Sequence, residues 1–404
     1  MYKVLVQKFN VPTDTKFFLL LLPTLLIIDG DWLITGFYVL IFFSLFLLNE
    51  YKFNNLDVKL PNIFMWTLLL IWGVFIIIKS PEPGIGVRYY FATIFIPLLI
   101  FIIFNNIDLT PEFLDKFFFY LFIVGAILGA YSLYVFIGSG FNTRLRLRSL
   151  WQDYNIMATF LMILSMFNIS YILNRAKNEK IIPYIITLVF IYLGIFLAQT
   201  RGVWLAIVLS FLLYIVKKPK IIVPAFILFL VFSLLFSNVI LDRFLSVKNF
   251  GYDESSLGRL QAWYATYLLL KANLFFGYGF DAFIHHRDSI LPFYIVKVLH
   301  SHNTYLRTIL EMGFIGFILY FSFIFRASFY SFFFKKGTDF FEKYKVYIEG
   351  LQLSFIGLYI TFIFEPYFSL YGASALVIWI LISLSFRLRY YEKSSSQQLT
   401  DNIS

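Results

Sequence analysis

Three cationic side chains stand at or near the N-terminal end of a predicted helix. Arg201 and His302 each directly precede a long apolar run, and Arg259 lies near the start of a helical stretch in a polar loop. A helix N-terminus carries partial positive charge and bare N–H donors, so a cation there costs about 0.3–1 kcal/mol unless an anion is present. The positions therefore predict a bound anion such as pyrophosphate. Attachment of either arginine to lipid headgroup phosphates is the alternative.

His302 suits acid–base chemistry, because histidine is the side chain that titrates near neutral pH. A helix N-terminus favours the neutral imidazole, which can accept a proton. A histidine that only caps the helix is the alternative interpretation. His300 lies two residues earlier and need not share the direction of His302.

The residue types also limit the cofactors that the chain can hold. It has no cysteine, which excludes disulfides, a thiolate nucleophile and cysteine-bound metals. A zinc site needs three or four ligands, and no cluster of Asp or Glu accompanies the four histidines. We therefore expect no metal and no cofactor. Asp29-Gly30-Asp31 is predicted to form a turn between two helices and not a metal-binding pair.

The elements that position these residues are predicted to be membrane-spanning helices. Of the 404 residues, 60% are hydrophobic, 14% are charged and 53 are phenylalanine, which is more apolar mass than a soluble core can hold. The expected fold class is all-α, a polytopic membrane protein with about 12 transmembrane helices of about 20 residues each. The apolar runs are 17–28, 32–48, 62–78, 88–104, 113–138, 151–173, 181–198, 202–216, 221–240, 303–334, 346–364 and 368–386.

The chain is predicted to form a single transmembrane domain over residues 1–393. Its one large insert is the loop at about 241–301, which contains a helical stretch, Leu257–Phe276, expected to lie at the outer membrane interface. The polar tail 394–404 is expected to be disordered.

The net charge of +10 is predicted to mark topology and not nucleic-acid binding. With the N-terminus inside, the inner segments are richer in Lys and Arg, so both termini are expected to be cytoplasmic. Lysine predominates inside and arginine outside, and the planar guanidinium binds phosphate oxygens better than an ammonium does. This pattern favours a phosphate-binding outer face over a general preference for lysine. Further contacts are expected from Arg88, Arg144, Arg146, Arg148, Asp153, Asn155 and Asn303.

Two of these residues have an open alternative. Asp153 and Asn155 stand at the outer mouth of the sixth run, where they are equally consistent with a helix cap or with contacts to a sugar.

A longer pattern around His302 resembles bacterial O-antigen ligases. His302-Asn303, nine further residues and then Gly313-Phe314-Ile315-Gly316 reproduce the family pattern His-[Asn/Ser/Gln]-x9-Gly-x-x-[Gly/Thr/Tyr]. The similarity extends over about 150–310, and the twelve-span layout with a large late outer loop is similar to the family's architecture. The other similar segments are Asp153-Tyr154-Asn155, Thr200-Arg201-Gly202, Gly258-Arg259 with Trp263, and 273–280.

That resemblance implies a membrane glycan transferase. The ligases transfer a finished glycan from undecaprenyl pyrophosphate to lipid A–core at the periplasmic face of the bacterial inner membrane, and the related polymerases transfer it to the next repeat unit. Neither uses nucleotide sugars, and the ligases need no metal. Carried over, Arg201 and Arg259 would hold the pyrophosphate. His302 would deprotonate the acceptor hydroxyl, which attacks the anomeric carbon with inversion. The implied partners are the lipid-linked donor, a lipid A–core or glycan acceptor, and membrane lipids.

A transporter of the same lipid-linked anion is the alternative of a different class. Transporters place charges near the bilayer midplane, whereas polar residues here cluster at the outer rim. Arg307 and Glu311 are the exception, and their spacing of four residues predicts that they pair as a buried structural bridge. The distribution of charge therefore favours the transferase.

Overall fold

The computed structural model describes residues 20, 22–23, 26, 32–50, 60–142, 145–151, 153–174, 181–217, 254–290, 298, 300–367 and 372–401. Within these ranges every regular element is a helix, so the predicted all-α class is confirmed for this part of the chain. The expected span 221–240 and the Asp29-Gly30-Asp31 turn lie outside the described residues, as does most of the expected span 17–28.

The helices follow the predicted apolar runs. Those in the first part of the chain are α1 (Trp32–Glu50), α2 (Ile63–Lys79), α3 (Pro83–Tyr90), α4 (Ile96–Asn106), α5 (Pro111–Gly138) and α6 (Tyr154–Asn174), with a π-helical turn, Phe91–Phe95, between α3 and α4. Those in the second part are α7 (Ile182–Ala198), α8 (Arg201–Lys217), α9 (Glu254–Ala272), α10 (Ala282–Ile290), α11 (Thr304–Phe332), α12 (Asp339–Thr361) and α13 (Gly372–Asp401).

Side-chain caps fix the starts of three of these helices. Thr110, Asn303 and Thr338 precede α5, α11 and α12, and each accepts a hydrogen bond from the backbone N–H three residues later, at 3.3, 2.9 and 3.1 Å. Such a bond satisfies one of the N–H groups that a helix leaves unpaired at its first turn. The cap at Asn303 matters most here, because it sets where the chain turns from the loop of His302 into α11.

Membrane-spanning character is visible in the described helices. Four segments in these ranges are long and apolar enough to cross a bilayer: Pro83–Asn106, Pro111–Gly138, Tyr154–Asn174 and Thr304–Phe332. Shorter apolar helices are Gly36–Leu47, Ile63–Lys79, Ile182–Ala198 and Arg201–Ile215. The chain is therefore a membrane protein, and the count of twelve crossings and the orientation of the termini stay predictions.

Small residues let the helices approach closely. A Cβ atom at Gly129 of α5 would lie 1.8 Å from the backbone oxygen of Phe190 in α7, and one at Gly194 would lie 3.1 Å from the Cα atom of Gly129. Helix pairs in membranes pack through such small residues, because lipid supplies no hydrophobic driving force between them. Contacts of this kind make α5 and α7 a rigid support for the elements that follow.

The C-terminal segment differs from the expectation. Residues 394–404 are expected to be disordered, but α13 continues to Asp401. Extending a helix that is already anchored costs less than nucleating one, because each added residue contributes a hydrogen bond. The anchor is the buried stretch from Ala375 to Leu388, which lies within the same helix. A polar composition alone therefore does not end this helix.

Several helix ends meet at one end of the bundle. The backbone N–H of Thr304, at the start of α11, donates to the carbonyl of Phe362, just after the end of α12, at 2.7 Å. The Thr304 hydroxyl donates to the carbonyl of Glu365 at 2.5 Å and accepts from the N–H of Tyr367 at 3.2 Å. One threonine thus fixes the segment 362–367 against the first residues of α11.

Candidate active site

A cavity of about 340 Å³ opens at this end of the bundle, and it contains both arginines that the sequence singles out. Arg201 and Arg259 line it from α8 and α9. Leu205, Leu260 and Trp263 form an apolar part of the wall. The polar part of the wall is completed by Arg146, Asn155, Gln199, Thr200, Ser256 and Glu365.

Arg201 is placed by a tight corner between α7 and α8. Gln199 adopts a left-handed backbone conformation with φ of 53°, and the carbonyl of Thr200 begins α8 by accepting from the N–H groups three and four residues later. The Thr200 hydroxyl donates to Asn155 Oδ1 at 3.1 Å. A Cβ atom at Gly202 would lie 2.9 Å from the ring of Phe364, so the start of α8 is packed against the segment 362–367.

Arg259 is held by a carboxylate that sequence reasoning missed. Its Nη2 donates to Glu365 Oε1 at 3.0 Å, and its Nε donates to the carbonyl of Phe364 at 3.4 Å. The Arg259 side chain remains 19% exposed at the cavity, whereas that of Glu365 is only 5% exposed. The guanidinium is therefore oriented from behind by Glu365 while it faces the cavity.

Glu365 connects the arginine to the histidine. Asn155 Nδ2 donates to its Oε1 at 2.8 Å, and its Oε2 lies 3.4 Å from His302 Nδ1. Burial alone raises the pKa of the Glu365 carboxyl, but His302 and Arg259 outweigh burial, and the resulting pKa is below its ordinary value. Glu365 is thus an ionised carboxylate in a buried position.

A sequence signal for Glu365 existed, since it is a lone carboxylate that follows the apolar run 346–364 and precedes Pro366. Ionisable residues at the end of a membrane span often serve a site. The position of Glu365 beside His302 could not be predicted, because 63 residues separate the two in the chain and only the docking of α12 against α11 joins them.

His302 lies in a turn that aims its ring at Glu365. Its φ is 46°, a left-handed conformation that is unusual for a side chain with a Cβ atom and is often found at functional sites. Nδ1 approaches the carboxylate at 3.4 Å without hydrogen-bond geometry to any described residue. The side chain is 25% exposed, so the imidazole combines a carboxylate neighbour with an accessible edge. This is the arrangement of a general base with an orienting carboxylate.

The expected contacts Arg146 and Asn155 join the site. Arg146 Nη2 donates to Asn155 Oδ1 at 3.0 Å, its Nε donates to the carbonyl of Ala198 at 3.3 Å, and its guanidinium lies 3.6 Å from the centre of the Tyr154 ring. Asn155 therefore links Arg146 to Glu365. Three guanidinium groups line the described wall of the cavity, and protein acceptors orient those of Arg146 and Arg259.

Asp153 acts as the cap of α6. Its Oδ1 accepts from the backbone N–H groups of Asn155 at 2.6 Å and Ile156 at 3.0 Å. Burial raises the pKa of the Asp153 carboxyl, and the charge of Glu365 raises it further. Of the two interpretations open for Asp153, the structure shows the capping contacts, and Asp153 is not in the cavity wall.

Three of the other expected contacts do not reach the cavity wall. Arg88 and Arg148 are exposed and lie outside the residues that line it. Asn303 directs its side chain to the N–H of Leu306 as the cap of α11. Arg144 lies outside the described residues. The spacing of the loop arginines does not predict that Arg146 folds back onto α6 and that Arg148 stays exposed.

The predicted pairing of Arg307 with Glu311 is confirmed. Arg307 Nε donates to Glu311 Oε1 at 2.7 Å, and both side chains are buried. The pair extends to the carboxylate of Asp281, whose Oδ1 lies 3.9 Å from Arg307 Nη2 and accepts from the hydroxyl of Tyr89 at 3.2 Å. Arg307 and Glu311 are thus the buried part of a cluster whose third charged member, Asp281, is 30% exposed.

The glycines of the sequence pattern have a structural explanation. Gly313 breaks α11 with φ of 70° and ψ of 173°. A Cβ atom there would lie 2.1 Å from the carbonyl oxygen of Phe275. Across this break, the N–H groups of Tyr278 and Gly279 donate to the carbonyls of Leu310 and Glu311 at 2.8 and 3.0 Å, respectively. The outer loop is thus joined to α11 by backbone hydrogen bonds that only a glycine at 313 permits.

Gly316, the second glycine of the pattern, faces α2. A Cβ atom there would lie 2.6 Å from Nε1 of Trp72, which donates to the carbonyl of Met312 at 2.8 Å. The indole thereby holds α2 against α11 just before the break in that helix. Both glycines therefore serve the geometry of the break and not the chemistry.

No group of three or more His, Asp or Glu side chains in the described ranges is arranged to hold a metal ion.

Comparison with known families agrees with this geometry. Residues 186–321 match the family described as O-antigen ligase, so the resemblance to the O-antigen ligase-like superfamily is confirmed on this segment, about a third of the chain. The match is to a family of membrane glycosyltransferase-like proteins of ligase or polymerase type. A comparison with curated proteins found no match. The matched segment includes Arg201, Arg259 and His302, whereas Arg146 and Glu365 come to the site from outside it.

Proposed function

We propose that the protein is an O-antigen ligase-type transferase that moves a glycan from undecaprenyl pyrophosphate to a sugar hydroxyl of lipid A–core. The observation that carries the proposal is the position of Glu365, which joins the arginines of an open cavity to the imidazole of His302. Anion binding and proton transfer are thereby coupled at one end of the bundle. By resemblance this end faces the periplasm.

The arginines would bind the pyrophosphate of the donor. A guanidinium presents five N–H donors in a planar fork, so an arginine that holds a carboxylate can also bind a phosphate oxygen. Arg146, Arg201 and Arg259 surround a cavity whose wall also includes Leu205 and Leu260. That combination suits a lipid-linked anion, because the head is charged and the chain is apolar.

His302 would act as the general base. Its imidazole takes the proton of the acceptor hydroxyl as the hydroxyl oxygen forms a bond to the anomeric carbon. The bond from that carbon to the pyrophosphate oxygen breaks on the opposite face, so the configuration inverts. Glu365 stabilises the imidazolium that results, because it is ionised and lies 3.4 Å from Nδ1. The released undecaprenyl pyrophosphate is a dianion or trianion whose charge the arginines offset.

The experiment is transfer by the purified protein in detergent with an undecaprenyl-pyrophosphate-linked glycan and two alternative acceptors. We expect mass spectrometry to show the glycan on lipid A–core. Product only on a second lipid-linked repeat unit would identify a polymerase. Movement of the donor across vesicles without a new covalent product would identify a transporter and overturn the proposal. A sample with Arg88→Gln serves as the matched control, because Arg88 is exposed and does not line the cavity.

A further inference from the structure

We propose that His300 is a positioning residue whose ring holds the imidazole of His302 toward Glu365. The proposal rests on the function proposed above, in which His302 is the base. The centres of the two histidine rings lie 4.1 Å apart with an angle of 57° between the ring planes. The family resemblance assigns no role to His300. The spacing of His300 and His302 does not require their side chains to point the same way.

The backbone of this turn allows the two rings to meet. Residues two apart in an extended segment point to the same face. His302 departs from that geometry with φ of 46°, and its ring still lies beside the ring of His300. Ser301, between them, is fully buried, and its hydroxyl donates to the carbonyl of Asn303 at 3.2 Å. Asn303 in turn caps α11. The turn is therefore fixed at both ends, and the position of the His302 ring on it depends on what lies beside that ring.

The electrostatic surroundings keep His300 neutral. Burial lowers its pKa, the charges of His302, Arg307 and Arg259 act in the same direction and Glu365 opposes them, and the result is a pKa of about 3. These groups come from its own loop, from α11, from α9 and from the segment after α12. A neutral ring adds no charge that would repel the imidazolium of His302 during transfer.

The ring face of His300, and not its Nδ1 atom, carries the contact. Nδ1 of His300 is buried and has no hydrogen-bond partner among the described residues. Replacing a buried group that makes no hydrogen bond by an apolar one of similar shape costs little. Phenylalanine at this position should therefore preserve the function of His300, and a residue without a planar ring should not.

The experiment compares single-turnover transfer by His300→Phe and His300→Ala with saturating lipid-linked donor. We expect the rate of His300→Phe to stay within about threefold of the wild-type rate. The rate of His300→Ala should fall about 10–100-fold, because displacing a catalytic group by about 1 Å reduces the rate by roughly that factor. Donor binding should be unchanged in both variants. If His300→Ala does not fold, His300→Leu replaces it, with the same expected loss, since leucine fills the volume without a flat ring.

Three results decide the proposal. A normal rate in the variant without a ring would show that His300 positions nothing. A His300→Phe variant as slow as His300→Ala would show that a nitrogen atom is required. If His300 is already neutral, its replacement by phenylalanine should leave the acid limb of the pH–rate profile in place. A shift of that limb in His300→Phe would therefore contradict the proposal. His285→Phe, at a histidine on α10 paired with Glu82 at 3.5 Å, is the matched control. An active His302→Gln would instead contradict the proposed function, whatever the His300 variants do.

Discussion

Two arginine–glutamate pairs lie near the same end of the bundle, and their surroundings differ. Arg307 and Glu311 are both buried, one turn apart on α11, and border a cavity of only about 10 Å³. Arg259 and Glu365 come from distant parts of the chain, at 3.0 Å, and border the cavity of about 340 Å³. The first pair is enclosed by Asp281 and Tyr89, and the second faces His302 and a space that fits a ligand.

The difference shows how the same two residue types can serve structure or function. A local pair on one helix can be closed completely, because its partners are fixed by the helix itself. A pair assembled from two elements leaves an opening between those elements. The second carboxylate oxygen of Glu365 lies near His302, so this pair also connects two roles. We therefore expect substitutions in the closed pair to affect stability and those in the open pair to affect transfer.

The largest expected effect is on stability, in the closed pair. Arg307→Ala should lower the free energy of unfolding by about 3–5 kcal/mol, because it leaves the buried carboxylate of Glu311 without its cation. Arg259→Ala should cost less, since its side chain reaches the cavity and Glu365 keeps Asn155 and His302 as neighbours. Thermal unfolding in detergent measures both. Equal losses of stability would remove the distinction between the two pairs.

The next effect concerns transfer, in the arginines of the open site. Arg201→Lys and Arg259→Lys should each reduce transfer by about 10²–10³-fold while the protein still folds, since an ammonium cannot give two parallel N–H donors to a phosphate. Arg88→Lys should stay close to the wild type, because that arginine lies outside the cavity wall. Near-normal turnover in the first two variants would contradict a pyrophosphate-binding role.

The break in α11 at Gly313 lies beside the closed pair, and its removal should have a smaller effect on stability. Gly313→Ala should destabilise the protein by about 1–3 kcal/mol, through a left-handed conformation that alanine disfavours and a collision with the carbonyl of Phe275. Gly138→Ala is the matched control, because no atom lies within 4 Å of a Cβ at that position. A Gly313→Ala variant as stable as Gly138→Ala would show that the break is not required.

The last expected effect is a pH dependence of stability, which is the smallest of these effects near neutral pH. The pKa of His300 falls from 6.5 to about 3 on folding, so only the unfolded chain binds a proton there between these values. Stability should therefore decrease as pH falls below 6.5, by at most about 1.4 kcal/mol per pH unit. Glu365, whose pKa is lowered, contributes stability above its ordinary value of 4.5 and loses it only as pH falls through its lower folded pKa. Unfolding midpoints should be less sensitive to acid in His300→Phe, and equal slopes would contradict this.

The sequence predicts the parts of the site that depend on local position. Arg201, Arg259 and His302 were identified from helix ends, and the Arg307–Glu311 pair from its spacing. Glu365 could not be placed, because its contacts form only when the segment after α12 docks on Thr304. The approach of His300 to His302 was also not predicted, because the spacing does not reveal the conformation of this turn. A left-handed residue is signalled by Asn or Gly and not by a histidine.

The most direct test of the account is the single-turnover rate of His302→Gln and Glu365→Gln with lipid-linked donor saturating. The account predicts that His302→Gln binds donor normally and loses about 10²–10⁴-fold in transfer, the usual effect of removing a positioned base. Glu365→Gln should keep some of the hydrogen bonds to Arg259 and Asn155 yet lose the charge that stabilises the imidazolium, so it should also be slow. Transfer by His302→Gln at the wild-type rate would contradict the assignment of the base.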